Sequence, residues 1–406
     1  MSRTMHARLS LAAIAAAIAA LATPAQAVDW GGYFRAGPGA TKKDAARACY
    51  GLSGAGLKYR LGNECDFYGE FLLSQGFKVD GVEYKANLMT NLFSPGNDTG
   101  AGATAADQLD HSKLGINQMY VEGKGYDIAP NQTFWIGKRF YGRADVHIVD
   151  TFYVNMSGVG AGVDGIELGA AKMNLAYFRT DGGGTLPGTR LNADFNDIAT
   201  NPGGKLRVTA TVTNGDFTGG KSGFGLSFQH NQDNVFGLGG GNTAWLQFSQ
   251  GSAGLDANFG NLSAASGTRG MRFVESLTWQ VGNFGGQAQA MVQQDKDGAT
   301  GLKTTSSTIG GRASFAMTKN LKWLAELGYS QKKPDGSATQ KLTKLTVGPA
   351  LSTGPGFWNR PELRLYVTTA KWNDAANTAA GAGGVTGIGD GKTSGTSYGA
   401  QVEIWY

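Results

Sequence analysis

The sequence predicts an all-β chain closed into a transmembrane antiparallel β-barrel. Three observations predict it: period-two alternation from end to end, no apolar run long enough for a spanning helix, and a last strand that stops on an aromatic residue. Leu206, Val208, Ala210 and Val212 alternate with Lys205, Arg207, Thr209 and Thr211. Trp323, Ala325, Leu327 and Tyr329 alternate with Lys322 and Glu326, and Leu363, Leu365 and Val367 with Glu362, Arg364 and Tyr366. One face is apolar and the other polar, as lipid outside and water inside require.

The first 27 residues read as an export signal. Arg3 and Arg8 give a basic start, Leu9–Ala22 an apolar stretch, and Ala25-Gln26-Ala27 a small-residue cleavage site. Residues 28–406 then form a single barrel. Losing Arg3 and Arg8 takes two charges from the net +5, which leaves too little positive charge to imply a nucleic acid partner. Glycine is 64 of 406 residues, more than twice the usual ~7%. A disordered Gly-rich chain would lack the 10% aromatic content, whereas a barrel whose two faces cancel in the mean accommodates both.

Cys49 and Cys65 are the only cysteines. In an oxidising periplasm a disulfide is the natural reading; a metal site is the alternative, and no histidine lies nearby. Turn residues punctuate the strands at Ser94–Asp98, Asp181–Gly184, Gly239–Asn242 and Lys333–Gly336. Thr99–Ala106 and Ala376–Thr396 read as longer loops. A soluble β-sandwich would need several copies joined by linkers at this length.

The polar rows carry aromatics. Tyr33 shares a row with Arg35, Tyr68 with Glu70, Trp358 with Glu362 and Arg364, and Trp405 with Gln401 and Glu403. Sugar rings have apolar C–H faces and hydroxyl rims, so flat rings beside charged groups suit them. Lys138–Asp150 is the densest cluster of mixed charge. Arg143, Asp145 and His147 share one parity and Asp150 and Phe152 the other, which predicts a bend between His147 and Asp150 and an infolded, charged constriction loop.

Four segments resemble the maltoporins: Val28–Gly37, Lys58–Glu70 (similar to that family's next strand), Lys138–Asp150 and the closing Gly399–Tyr406. The stretch from Asp181 to Gly301 aligns loosely. The resemblance implies a porin-type barrel of about eighteen strands in the bacterial outer membrane, a homotrimer in outer-membrane lipid, and insertion by the barrel-assembly machinery that reads the terminal strand. It also implies an aromatic slide for oligosaccharide solutes at Tyr33, Tyr68, Trp358 and Trp405. Arg35, Arg60, Glu70, Arg143, Asp145 and Asp150 fall on the flanking polar track, and Cys49 and Cys65 match the family's disulfide in the first surface loop. No cofactor is implied.

Three positions depart from that family. Phe152 stands where maltoporins carry a constriction tyrosine, the loop after Phe93 has no tryptophan, and a mid-chain slide position aligns near Ala244, with Trp245 expected on the wrong face. A general or ion-preferring porin is therefore the alternative. An outer-membrane hydrolase would need an activated serine beside a histidine, and His111, His147 and His230 sit in no nucleophile motif. A purely structural or adhesive barrel would not need this lumen chemistry.

Overall fold

The computed structural model describes residues 28–42, 45–53, 58–95, 113–180, 186–380 and 391–406. The signal, the loop after Phe93 and the Asp181–Gly184 turn lie outside them. An 18-strand antiparallel barrel forms, each long strand paired to its neighbours in the sequence. It closes where the first strand, Asp29–Ala36, meets the last, Ser394–Trp405, in the register Tyr33↔Trp405 and Arg35↔Glu403.

The alternation is inverted relative to a soluble protein, and this inversion makes the barrel a membrane structure. In Glu362–Trp372, Glu362 and Arg364 are buried inside, while Leu363 and Leu365 are 55% and 60% exposed outside. Strands such as Asp66–Val79, with 14 residues, and Ala171–Thr180, with 10, are long enough to cross the hydrocarbon layer when tilted. One rim carries outward rings in contact. Trp30 lies 4.8 Å from Tyr406, Phe77 stacks on Tyr84 at 5.3 Å, and Tyr126 meets Phe134 at 5.5 Å. Such girdles sit at headgroup level. The same rim holds the tight turns, among them Asp80-Gly81, where both residues have positive φ (48° and 88°) and the two-residue connection follows the twist of its strands.

Within the barrel, the loop 140–157 folds inward. Ile148, Val149, Tyr153, Val154 and Met156 pack with Trp135, Phe178, Trp245 and Val274 into a cluster that fills one side of the lumen. The predicted bend is a 3-10 turn, His147–Val149, ended by Asp150 in the left-handed region at φ 53°. A short polar aspartate tolerates that conformation.

The structure differs from the sequence reading in four places. Lys58–Cys65 is not strand: the second long strand begins at Asp66, and the preceding residues form a loop that enters the lumen. Trp358 reaches the interior from the turn that precedes Glu362 rather than by strand parity. The Ala376–Thr396 region holds part of a helix, Asp374–Ala380, and the start of the strand at Ser394. Trp245 faces inward, not outward, but is covered by Tyr153 at 5.3 Å and only 2% exposed.

Cys49 and Cys65 are bonded, with Cα atoms 6.0 Å apart and a separation of 16 positions in sequence. A loop of this size corresponds to about 3 kcal/mol of chain entropy. Replacing both cysteines by serine is expected to lower the unfolding midpoint in detergent; equal midpoints would remove that contribution.

Candidate solute path

Barrel closure builds the site, because residues at opposite ends of the chain become neighbours. Tyr33 is paired with Trp405 on one side and with Glu70 on the other, and Arg35 with Glu403 and Tyr68. The four sequence-predicted rings therefore line one wall, in the order Trp358, Trp405, Tyr33, Tyr68 from the turn end towards the loop end. Tyr33 and Tyr68 lie 6.4 Å apart between centroids. Trp358 and Trp405 both approach the His147 ring edge-on, at 5.4 and 5.6 Å. His147 thus bridges the rings contributed by the turn and the last strand.

Arginines hold three of the rings in place. Arg35 lies 5.3 Å from the Tyr68 ring, Arg60 5.8 Å from Tyr33, and Arg360 4.3 Å from Trp405. Trp358, 42% exposed, presents the most open surface of the four. A ring backed by a guanidinium cannot swing away, so its lumen-facing edge is fixed in advance.

The polar groups divide into two sets. Arg35, Arg60 and Asp150 belong to one ion-pair network with Lys58, Glu64, Asp66 and Glu403. Arg35 is 2.8 Å from Asp66 and 3.0 Å from Glu64, Lys58 is 2.8 Å from Asp150, and Arg60 is 2.8 Å from Glu64 and 3.3 Å from Glu403. Glu403, fully buried, also pairs with Arg360 and Arg364 and accepts the Tyr33 hydroxyl at 3.2 Å. Glu70 accepts the Tyr68 hydroxyl at 2.6 Å, and Asn117 donates to both of them.

Arg143 and Asp145 stand apart on the infolded loop, exposed to the lumen. The Arg143 guanidinium lies 3.8 Å from the Phe152 centroid and 4.1 Å from that of Phe140. Phe152 therefore carries a cation on its ring, sandwiched on the infolded loop between Phe152 and Phe140. Glu64, Asp66, Asn117 and Glu403 were not singled out by sequence. The parity of Glu403 was legible, but its role as a hub depends on the closing register.

Electrostatics fix the loop. Burial alone would raise the Asp150 carboxyl, but Arg60 and Lys58 outweigh it and hold the group well below the usual carboxylate range. Burial pushes the His147 imidazole down to about 4, against the opposing pull of Glu403. A base with a lowered folded pKa binds fewer protons than in the unfolded chain. The folded state is accordingly expected to lose stability as pH falls from 6.5 towards 4, by roughly 3 kcal/mol at full effect. Above pH 6.5 this group contributes no slope. Unfolding midpoints of the unaltered chain and His147→Gln, measured across pH 4 to 8, should diverge only in the acidic range; parallel curves would refute the assignment.

An outward apolar belt, a charged lumen and a loop that narrows it define a porin-type channel and point to the outer membrane. The family model for LamB porins matches residues 28–406. The chain belongs to the LamB porin family, the maltoporins its segments resemble. Among solved structures, it is similar to OccAB1 of Acinetobacter baumannii, with 11% identity, a TM-score of 0.51, and coverage of 93% of this chain and 96% of that one. OccAB2 of the same organism gives 10% identity, a TM-score of 0.50, and coverage of 93% and 97%. At such identities the likeness concerns the fold alone.

Proposed function

We propose that the chain is a sugar-selective channel through which oligosaccharides of the maltose and maltodextrin type diffuse along the wall of Trp358, Trp405, Tyr33 and Tyr68. The observation that carries this reading is the pairing of three of the four rings, Tyr33, Tyr68 and Trp405, with charged hydrogen-bonding groups on the same wall. Sugar faces stack on the rings while hydroxyls exchange hydrogen bonds with Arg35, Arg60, Glu70, Arg143, Asp145 and Asp150. Buried ion pairs are poor devices for stability, because desolvation offsets most of their attraction. Glu64 and Glu403 are closed off inside this network and hold it in place, so that the lumen edges of Arg35, Arg60 and Asp150 are fixed in advance for hydroxyls. Binding must stay weak for the solute to leave. Phe152 narrows the path as an apolar stop.

Membership of the family supports a homotrimer in outer-membrane lipid, inserted by barrel-assembly machinery that reads the final strand. A general or ion-preferring porin is the second reading, favoured by the absence of tryptophan from the loop after Phe93. Planar-bilayer conductance titrated with maltose, maltotriose, sucrose and glucose decides between them. Saturable current block by one of the sugars is the expected result; steady conductance with all four would move the assignment to the general porin.

A further inference from the structure

The rings occupy one wall of the lumen. On the far wall, towards the loop end, lies a cavity of about 670 Å³ bounded by Phe152, by the loop 252–268, and by the upper ends of strands Arg269–Val281, Phe284–Lys296 and Lys303–Ala316. It is separate from the ring track and shares only the constriction residue Phe152 with the residues already described.

Three features give the cavity a chemical character. Its charged lining is balanced, with Asp256, Asp295 and Asp297 against Arg269, Arg272 and Lys296. Its floor is pre-ordered: Arg272 donates to Gln247 at 2.8 Å, to Gln293 at 3.3 Å and to the Tyr153 carbonyl at 3.3 Å, and Gln293 donates to Asp295 at 2.7 Å. Phe152, whose ring also carries the Arg143 guanidinium at 3.8 Å, supplies the apolar edge. Donors and acceptors of both signs without net charge select against ionic solutes and in favour of neutral polyhydroxyl ones. The volume lies within the range of pockets that enclose small ligands.

We propose that this cavity is a second saccharide subsite, outside the constriction, which captures one or two units of a neutral oligosaccharide and delivers them past Phe152. The inference rests on the saccharide-channel reading above. It supplies a capture point on the loop side, where the loop after Phe93 offers no tryptophan.

The test is single-channel block by maltotriose added to one side at a time. Asp295→Ala is expected to lower the ratio of loop-side to turn-side association rates about fivefold, the effect of one lost hydrogen bond of ordinary net strength. Asp295→Asn, which keeps the shape, should lower it less. An unchanged ratio in both variants overturns the subsite, as does an equal fall from both sides. Trp358→Ala should shorten the block from either side and leave the ratio intact. If Trp358→Ala changes nothing while Asp295→Ala lowers the ratio, the ring track fails and the subsite stands. Absence of block in the unaltered channel overturns both.

Discussion

Replacing Trp358 by alanine is expected to weaken saccharide binding about tenfold, with ion conductance unchanged or higher. Stacking contributes about 0.5–1.5 kcal/mol beyond the area it covers, and loss of the covered surface adds to this. Trp358 is the ring with the most open surface, and it reaches the lumen from a turn, so its removal leaves the barrel ladder untouched. Tyr68→Ala should act in the same direction by a different route. Its ring is lost, and Glu70 and Asn117 each lose the hydroxyl as a hydrogen-bond partner. Ions need no flat surface, and a smaller side chain widens the path. Current block titrated in both variants is the measurement. Unchanged sugar affinity in both would reduce the rings to wall packing.

Gly328→Val is expected to produce the largest change in conductance. Loop residue Tyr59 lies flat against the inner wall over the paired glycines Gly310 and Gly328, with its hydroxyl 2.8 Å from Thr308. A Cβ at Gly328 would come within 2.2 Å of the Tyr59 ring, so the ring must leave. The next residue, Arg60, donates its backbone N–H to the Ile148 carbonyl at 2.9 Å and pairs with Glu64 and Glu403. Eviction of Tyr59 therefore releases the inner part of the first loop and loosens the constriction loop it touches. Conductance should rise severalfold and sugar block should fade. Tyr59→Ala should do the same, and combining the two should add little, because both remove one contact. Additive effects, or wild-type conductance in Gly328→Val, would refute the docking role.

The barrel was legible because its signal is local. Glu362–Trp372 alternates without a break, and each side chain's face follows from the pleat alone. The bend after His147 was legible for the same reason, since the parity of polar residues changes there. Trp358 was assigned to the right space by the wrong route, because parity cannot be extended from a strand into a turn. Trp245 was assigned to the wrong face: its own strand carries it inward, and only the packing of Tyr153 removes it from the path. The sequence reads Arg60 as part of a strand. The structure puts it on a loop that descends into the lumen.

By itself, then, the sequence determined the barrel, its two faces, the disulfide pair and the type of residue in the lumen, since each depends on alternation or on composition. Only the tertiary structure decided which of those residues meet. Tyr33 and Trp405 become neighbours through barrel closure, and Glu403 gathers Arg60, Arg360 and Arg364 from two distant parts of the chain. The far-wall cavity exists because Phe152, the loop 252–268 and the upper ends of three strands, distant in sequence, come together around it. Closing register and loop docking are long-range events, and no periodicity within a single strand encodes them.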